Sequence, residues 1–274
     1  MNASATKLVV FTDLDGCLLN KSDYDWSAAK PVLTRLKQLS IPVVMNSSKT
    51  PAEMSELASD LQLEGLPFIA ENGGIIRWNG LSSDAHAAPD RILGTPRAEI
   101  TAVLRSLRDQ LRFRTFEDLG VSGVMEATGL TEHKATKASA RQSTEPLLWD
   151  DTGENLSVFR HALAMHHLTL TRGGRFWHVA GPTNKGQAMQ EVIRRYQQHY
   201  APAAVVAAAV GDSPIDQNML DLADYPIGIP DEQSLNVELD VDRGIAATKS
   251  GSAGWAEAVS QLLDRLGFAA DASL

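Results

Sequence analysis

The chain has 274 residues, of which 43% are hydrophobic and 22% charged, enough for one large or two smaller domains with a substantial core. Its formal net charge of −9 and its pI of about 5.3 argue against a nucleic acid or an anionic membrane surface as the main partner. The single cysteine excludes an internal disulfide framework, no apolar run reaches the roughly 18 residues of a membrane helix, and we expect a cytoplasmic protein.

The first predicted element is a buried strand over residues 8–11, all apolar, and it is followed closely by Asp13, Asp15 and Gly16. Ligands bind at the carboxyl edge of open α/β sheets, and two acids so close together repel each other unless a cation or a shared proton relieves them. The stretch therefore predicts a site for a divalent cation such as Mg²⁺, which favours hard oxygen ligands. The same composition is also common in solvated turns, and at this point that alternative stays open.

A helix, a strand and a polar loop come next. Apolar residues at helical spacing predict a helix over residues 26–39, and residues 41–45 form a second apolar strand. The loop after that strand carries three polar residues, Ser47, Ser48 and Lys49. Thr50 and Glu53 have the spacing of a capping box, so a second helix begins here, and helix starts favour anions. Alternatively, the serines are only turn residues before a capped helix.

Residues 66–70 and 75–78 form two predicted strands on either side of a turn that contains Asn72. The following stretch, residues 81–96, is rich in Ser, Ala, Asp and Pro and has weak periodicity. We therefore predict a domain boundary there.

The pattern changes after this boundary. The predicted helices cover residues 100–111, 131–140 and 156–163, and the predicted strands cover residues 113–116, 146–149, 168–171 and 175–179. We assign residues 84–180 to an inserted α+β unit, and residues 1–83 and 181–274 to a core domain. An insertion at the ligand-binding edge is well placed to act as a lid.

The core resumes with a helix headed by Lys185 and with a clear strand over residues 204–210. Asp212 and Asp216 follow that strand, so acids again lie just past a strand's carboxyl end. The last predicted core elements are strands over residues 225–229 and 244–247 and a helix capped by Ser252.

Four loops are thus predicted to meet at one edge of one sheet. They carry acids for a metal and for covalent chemistry, and hydroxyl and ammonium groups suited to phosphate oxygens. The residues are Asp13 and Asp15, Ser47 and Ser48, Lys185, and Asp212 and Asp216. Phosphoryl transfer is the reaction class that uses all of these groups.

Residues 11–16, Ser47, Lys185 and residues 211–216 resemble motifs one to four of the haloacid dehalogenase (HAD) superfamily, in its Cof-like type IIB subgroup. Longer segments resemble the mannosyl-3-phosphoglycerate phosphatase family, namely residues 47–53, 67–74 and 174–179. The resemblance covers nearly the whole chain. It implies an α/β fold with a Rossmann-like core, a parallel sheet and an inserted α+β cap of the C2B type.

The resemblance also implies a role for each motif residue. Asp13 would be the nucleophile that forms an aspartyl-phosphate, and Asp15 the general acid and base. Mg²⁺ would be held by Asp13, by the backbone carbonyl of Asp15 and by Asp212, while Asp216 would orient the metal's waters. The phosphoryl oxygens would be held by two residues, Ser47 and Lys185.

Further residues are candidates for contacts with the rest of the substrate. On the core loops they are Ser48, Lys49 and Asn72, and in the inserted unit they are Arg141, Arg172 and Arg175. A guanidinium can pair with a glycerate carboxylate through two hydrogen bonds, although each arginine could equally be a solvated surface residue. His178, between apolar neighbours, is predicted to be packed and not catalytic.

Two residues depart from the family pattern. Ile215 stands where the family usually has asparagine, which removes an amide from the metal's surroundings. Cys17 replaces the usual threonine after Gly16, and we expect its thiol to make the enzyme sensitive to oxidation.

The sequence therefore predicts a Mg²⁺-dependent phosphatase of a small phosphorylated sugar or glycosyl-glycerate, with mannosyl-3-phosphoglycerate as the first candidate substrate. One alternative is a HAD phosphatase of glucosyl-3-phosphoglycerate or of another sugar phosphate. Others are a phosphomutase and a non-catalytic sugar-phosphate binding protein. The sequence does not indicate an oligomeric state.

Overall fold

The computed structural model describes residues 6–81, 90–173, 175–231 and 234–268, which form an α/β fold with two β-sheets. Within these residues the larger sheet has eight strands: β1 (Lys7–Thr12), β2 (Val43–Asn46), β3 (Phe68–Ala70), β4 (Ile75–Arg77), β5 (Arg91–Ile92), β10 (Val205–Gly211), β11 (Tyr225–Gly228) and β12 (Ile245–Ala246). Their order is β12-β11-β10-β1-β2-β3-β4-β5. Neighbouring strands are parallel from β12 to β3, and only the β3–β4 and β4–β5 pairs are antiparallel. The predicted mostly parallel sheet is confirmed.

Helices cover both faces of this sheet. The helices of the described residues are α1 (Lys30–Gln38), α2 (Pro51–Asp60), α3 (Arg97–Leu107), α4 (Phe116–Thr128), α5 (Glu132–Ser139), α6 (Gly153–Met165), α7 (Lys185–Tyr200), α8 (Gln217–Leu222) and α9 (Gly251–Arg265). The apolar sides of α1, α2 and α9 pack on one face of the sheet, and those of α7 and α8 on the other. None of the described helices is long and apolar enough to cross a membrane.

The central strand β1 is buried on both faces. Val10 packs into the cluster under α1, α2 and α9, whereas Val9 and Phe11 pack into the cluster under α7 and α8. Successive side chains of a strand point to opposite faces, so a central parallel strand needs a continuous apolar sequence. Because β1 is parallel to both of its neighbours, it ends at the carboxyl edge of the sheet, and the acids that follow it lie there.

The smaller sheet is antiparallel and lies between the two core segments in sequence. Its described strands are β6 (Phe113–Thr115), β7 (Thr144–Trp149), β8 (Thr169–Arg172) and β9 (Trp177–Ala180), in the order β6-β7-β9-β8. We call the part from α3 to β9 the cap. The boundary predicted at residue 84 falls outside the described residues, but Arg91–Ile92 still pairs with the larger sheet. The change from one sheet to the other therefore comes later than the predicted boundary.

Three local predictions were wrong. Helix α1 begins at Lys30 and not at residue 26, because Pro31 lacks an N–H and its ring would clash with the carbonyl four residues earlier in a longer helix. Helix α4 follows β6 directly, although only a strand was predicted there, and its capping box is formed by Thr115 and Asp118. The last helix has Ser250 and not Ser252 at its N-cap position, without a side-chain capping hydrogen bond, while Ser252 donates a hydrogen bond from its hydroxyl to Asn20.

Candidate active site

Lys185 lies at the centre of the polar cluster on the carboxyl edge. Its Nζ is 2.6 Å from Asp13 Oδ1 and 2.6 Å from Asp216 Oδ1, and only 1% of its side chain is exposed. The residue is the first of α7, and the Asn184 side chain caps that helix by accepting a hydrogen bond from the Gln187 N–H. Burial opposes the charge of Lys185, but the two carboxylates raise the pKa of its ammonium well above the ordinary value.

The carboxylate of Asp216 holds the loop after β10 in shape. While Oδ1 contacts Lys185, Oδ2 accepts hydrogen bonds from the backbone N–H groups of Asp212 (3.2 Å) and Ser213 (3.1 Å) and from the Ser213 hydroxyl (2.9 Å). Gly211 is needed beside it, since a Cβ there would lie 2.4 Å from the Asp216 Cβ. Both oxygens of Asp216 thus have protein partners, and its role toward a metal's waters stays a prediction.

Asp13, Asp212 and Cys17 form a buried cluster whose ligand atoms all lie within 4.8 Å of one another. Burial, with a contribution from the Asp216 charge, raises the pKa of Asp13 to about 7 and that of Asp212 to about 6. Gly16 permits the close approach, since its φ is +91° and a Cβ there would lie 2.5 Å from Asp212 Oδ2.

This cluster fits a hard divalent cation. Two carboxylates whose ionisation is disfavoured by burial and by the Asp216 charge are stabilised in their charged forms by a cation between them, and carboxylate oxygens are ligands that Mg²⁺ prefers. The Cys17 thiol differs from them, because sulfur is a soft ligand and this one lies 4.0 Å from Asp212 Oδ1 as a weak hydrogen-bond donor. Asp13 and Asp212 would hold the ion, together with the Asp15 carbonyl that the sequence resemblance implies.

Asp15 is paired with Lys49, a contact that the sequence analysis did not predict. Lys49 Nζ lies 2.7 Å from Asp15 Oδ2 and 5.1 Å from the centre of the Tyr24 ring. The other carboxylate oxygen of Asp15, Oδ1, is buried and has no hydrogen-bond partner among the described residues. The candidate acid and base therefore has one oxygen held by a cation and one oxygen without a partner.

The loop after β2 is held by the turn that follows β3. The backbone N–H of Asn72 donates to the Ser47 carbonyl (2.9 Å), and that of Glu71 donates to the Lys49 carbonyl (2.9 Å). Ser47 is fully buried, and its hydroxyl accepts a hydrogen bond from the Lys49 N–H. The side-chain oxygen of Asn72 is buried without a partner in the described part of the chain.

Glu71 is a buried acid that the sequence analysis did not single out. Its carboxylate accepts hydrogen bonds from the cap, from the backbone N–H groups of Gln142 (2.9 Å) and Ser143 (3.0 Å) and from the Thr144 hydroxyl (2.6 Å). Its φ of 52° is in the left-handed region, which costs about 1–2 kcal/mol for such a residue. The only sequence signal was an acid within a predicted turn, and turns contain acids for many other reasons.

The three candidate arginines of the cap occupy different places. Arg141 reaches the core, where its Nη1 donates to the Ser48 carbonyl (3.1 Å). Arg172 instead stacks on the Trp177 ring at 4.9 Å, and Arg175 donates a hydrogen bond to the Ala127 carbonyl within the cap. Of the three, the structure brings only Arg141 to the loop that holds Ser47. Arg172 and Arg175 make contacts within the cap, and their contact with a substrate stays a prediction.

His178 lies on β9 with Arg141 as its electrostatic neighbour. Burial and the Arg141 charge lower the pKa of its imidazole to about 3, so the ring is neutral at physiological pH. Its Nδ1 is buried and makes no hydrogen bond within the described residues. This agrees with the prediction of a packed histidine.

Comparisons with known proteins support the fold. Residues 10–94 match the family model of haloacid dehalogenase-like hydrolases. A haloacid dehalogenase-like hydrolase from Bacteroides thetaiotaomicron is 19% identical with a TM-score of 0.62, over 94% of this chain and all of that chain. BT1666, from the same organism and described among phosphatases of the haloalkanoate (HAD) enzyme superfamily, is 16% identical with a TM-score of 0.65, over 98% of both chains.

A third similar structure is a protein from Thermoplasma acidophilum, with 15% identity and a TM-score of 0.65, over 97% of this chain and all of that chain. At these identities the likeness is one of fold, and the chain has the α/β fold of haloacid dehalogenase-like hydrolases. None of these three structures is described as a mannosyl-3-phosphoglycerate phosphatase, and that finer assignment stays a prediction.

Proposed function

We propose that the protein hydrolyses a phosphate monoester through an aspartyl-phosphate on Asp13. The observation that carries this proposal is the position of Lys185, whose buried ammonium lies 2.6 Å from the Asp13 carboxylate at the sheet edge. A cation there neutralises charge on the nucleophile as a negatively charged phosphoryl group approaches, and it contacts that group's oxygens during transfer. The buried acids Asp13 and Asp212 supply oxygen ligands for Mg²⁺.

The reaction has two steps. In the first, an Asp13 oxygen attacks phosphorus, the bond from phosphorus to the leaving oxygen breaks, and Asp15 gives that oxygen a proton. In the second, Asp15 takes a proton from a water molecule that attacks the aspartyl-phosphate, which frees phosphate and restores Asp13. Ser47 and Lys185 hold the phosphoryl oxygens in both steps. A bound Mg²⁺ supplies additional positive charge against the carboxylate and the phosphoryl group.

For the substrate we propose a small phosphorylated sugar or glycosyl-glycerate, with mannosyl-3-phosphoglycerate as the first compound to test. What supports this choice is the resemblance of residues 47–53, 67–74 and 174–179 to the phosphatases of that compound. Glucosyl-3-phosphoglycerate differs only in its sugar and belongs in the same test.

The test is phosphate release in the presence of Mg²⁺ from a panel of mannosyl-3-phosphoglycerate, glucosyl-3-phosphoglycerate and common hexose phosphates. The wild-type protein is compared with Asp13→Asn and with Asp60→Asn, an exposed acid of α2 as the matched control. We expect release that Asp13→Asn abolishes and Asp60→Asn retains. Release from hexose phosphates alone would support the proposed reaction and contradict the proposed glycosyl-glycerate substrate. No release from any ester would contradict the proposed phosphatase activity.

A further inference from the structure

We propose that the cluster of Asp13, Cys17 and Asp212 also binds thiophilic divalent cations such as Zn²⁺ and Co²⁺, with the Cys17 sulfur as a third ligand. The inference rests on the cation site of the proposed function and names a second class of ion for that site. It is tested by metal binding alone, so its outcome is separate from that of the proposed reaction. Four observations on this thiol support it.

The first observation is the position of the sulfur beside the two acids. The Cys17 sulfur and one carboxylate oxygen from each of Asp13 and Asp212 all lie within 4.8 Å of one another. The distance from Cys17 Sγ to Asp212 Oδ1 is 4.0 Å. In tetrahedral zinc sites a sulfur ligand and an oxygen ligand lie about 3.6 Å apart. An ion between the two carboxylates therefore needs only small side-chain shifts to gain a sulfur ligand.

The second observation is that these three groups keep unused ligand atoms. Asp13 accepts a hydrogen bond from Lys185 through Oδ1, while its Oδ2 has no hydrogen-bond partner among the described residues. In the same ranges the Asp212 carboxylate accepts from no side chain except the Cys17 thiol. The thiol makes no other hydrogen bond there. A metal–sulfur bond would therefore replace only one weak contact of 4.0 Å.

The third observation concerns burial and charge. The Cys17 side chain is fully buried, and Asp13 and Asp212 are only 7% and 6% exposed. The ammonium of Lys185 contacts Asp13 and Asp216, whereas Asp212 forms no ion pair within the described residues. A metal-bound thiol is deprotonated, and its proton passes to the solvent. Asp212 and the Cys17 thiolate together then supply the two negative charges that balance a divalent ion.

The fourth observation is that a hydrogen-bonded turn holds the backbone of Cys17. Its N–H donates to the Leu14 carbonyl (3.2 Å), which also accepts from the Leu19 N–H (2.8 Å). The Gly16 N–H in turn donates to the Leu19 carbonyl (2.8 Å). Because these bonds are formed without a ligand, the sulfur does not have to be ordered when an ion binds. Such pre-organisation lowers the entropic cost of binding.

The softness of the ion decides whether it uses this ligand. Mg²⁺ is a hard cation that takes oxygen ligands, so a neutral thiol adds nothing to its binding. Zn²⁺ and Co²⁺ are softer and gain a strong bond from a thiolate. Replacing Cys17 should therefore lower the affinity for the softer ions and leave the affinity for Mg²⁺ unchanged. Mg²⁺ thus serves as an internal control within each variant.

The test is a titration with Co²⁺ at neutral pH, followed by absorption and by calorimetry. Cys17 is the only cysteine of the chain, so any sulfur-to-cobalt charge-transfer band must come from it. The variants are Cys17→Ser, which is close to cysteine in shape, and Asp212→Asn, which removes a carboxylate of the cluster. Asp60→Asn changes an exposed acid of α2 and is the matched control. Should Cys17→Ser fail to fold, Cys17→Thr replaces it.

We expect a near-ultraviolet charge-transfer band in the wild-type protein and in Asp60→Asn. The band should be absent from Cys17→Ser and strongly reduced in Asp212→Asn. Calorimetry should give a Co²⁺ affinity at least about tenfold lower in Cys17→Ser, as when a group that supports a metal site is lost. The Mg²⁺ affinity of Cys17→Ser should equal that of the wild-type protein.

Three results would overturn the proposal. Co²⁺ binding to the wild-type protein without the band would mean that oxygen ligands alone hold the ion. A band of full intensity in Asp212→Asn would mean that Cys17 binds cobalt away from the acids, and absence of Co²⁺ binding would remove the site. None of these measurements requires phosphate release. A wild-type protein that shows the band but hydrolyses no ester would therefore support this site and contradict only the proposed phosphatase activity.

Discussion

Lys185 and Glu71 are both buried ionisable residues, but the protein compensates their charges in opposite ways. Lys185 contacts two carboxylates, and the cluster around it contains the further acids Asp15 and Asp212. Glu71 has no cationic partner among the described residues and accepts hydrogen bonds only from neutral groups of the cap.

The difference separates a chemical site from a structural one. Acids that outnumber the ammonium groups beside them raise one another's pKa and attract a divalent cation, which suits a site where charge must move. A carboxylate satisfied by three neutral donors needs no further ion, and here it holds the buried start of β7 in one place. We therefore expect changes at Lys185 to affect activity most, and changes at Glu71 to affect the attachment of the cap.

Replacing Lys185 by methionine should have the largest effect. It leaves the carboxylates of Asp13 and Asp216 buried without their shared cation, which typically destabilises a protein by about 3–5 kcal/mol. Phosphate release should fall by roughly a hundred- to a thousandfold, as when one preorganised donor to a transition state is lost. Release assays and urea unfolding measure the two effects, and Lys134→Met, on the exposed surface of α5, is the control. Unchanged release would remove Lys185 from the proposed chemistry.

Replacing Glu71 by leucine should loosen the cap more than it affects the reaction. Two backbone N–H groups and one hydroxyl lose their acceptor, and we expect a loss of about 3 kcal/mol or more in the free energy of unfolding. Glu71→Gln keeps one acceptor oxygen and should lose less. Amide hydrogen exchange at Gln142 and Ser143 should become faster in both variants, while exchange in β10 stays slow. Unchanged exchange at these two amides would contradict the structural role given to Glu71.

His178 represents a third case, a half-buried histidine whose Nδ1 is buried without a hydrogen bond and which forms no ion pair within the described residues. Its pKa in the folded state, about 3, is below the ordinary 6.5, so below pH 6.5 the unfolded chain binds a proton that the folded chain does not. The stability linked to this group is complete above pH 6.5 and is lost as the pH falls toward 3. Between pH 7 and pH 5 the loss should be about 2 kcal/mol.

Urea unfolding at both pH values measures this loss as the difference between the wild-type protein and His178→Gln, because Asp13 and Asp212, whose pKa values are raised, stabilise the folded state as the pH falls through the same range. His178→Gln should lack it, whereas His161→Gln, which changes an exposed histidine of α6, should keep the wild-type pH dependence. Equal pH dependence in the wild-type protein and in His178→Gln would mean that the imidazole is protonated in the folded state.

The smallest expected effect is at Cys17, a neutral donor beside the acids. Its thiol is fully buried, and burial together with the Asp13 charge raises the pKa of the thiol well above its ordinary value. The structure thus opposes the expectation that this thiol makes the enzyme sensitive to oxidation. A thiol reagent should label the native protein far more slowly than the urea-unfolded protein, and Cys17→Ser should cost about 1 kcal/mol or less. Equally fast labelling in both states would contradict this burial.

Several features could be predicted from the sequence because their signals are local. The apolar run before Asp13 indicates a strand buried on both faces, and the spacing of Thr50 and Glu53 indicates a helix start that the structure forms as a capping box. Acids that directly follow parallel strands are predicted to lie close together, since parallel strands end at the same edge of the sheet. Helix α4 also has a local signal, the capping-box spacing of Thr115 and Asp118. The sequence analysis predicts only a strand there, and that strand, Phe113–Thr115, does precede the helix.

Other features depend on residues far apart in the chain, and only the tertiary structure decided them. Arg141, Arg172 and Arg175 are equivalent as sequence, yet only Arg141 lies against Ser48, 93 residues away. Glu71 likewise has its hydrogen-bond partners more than 70 residues away, and Lys49 pairs with Asp15 across 34 residues. No local sequence signal predicts these contacts. Sequence pattern determined the central strands, the starts of α2 and α7 and the set of reactive groups, because these follow from the local backbone and from alternation. Only the tertiary structure decided the partner of each buried charged group. Burial excludes water, so the group must pair with whichever protein group the packing brings near.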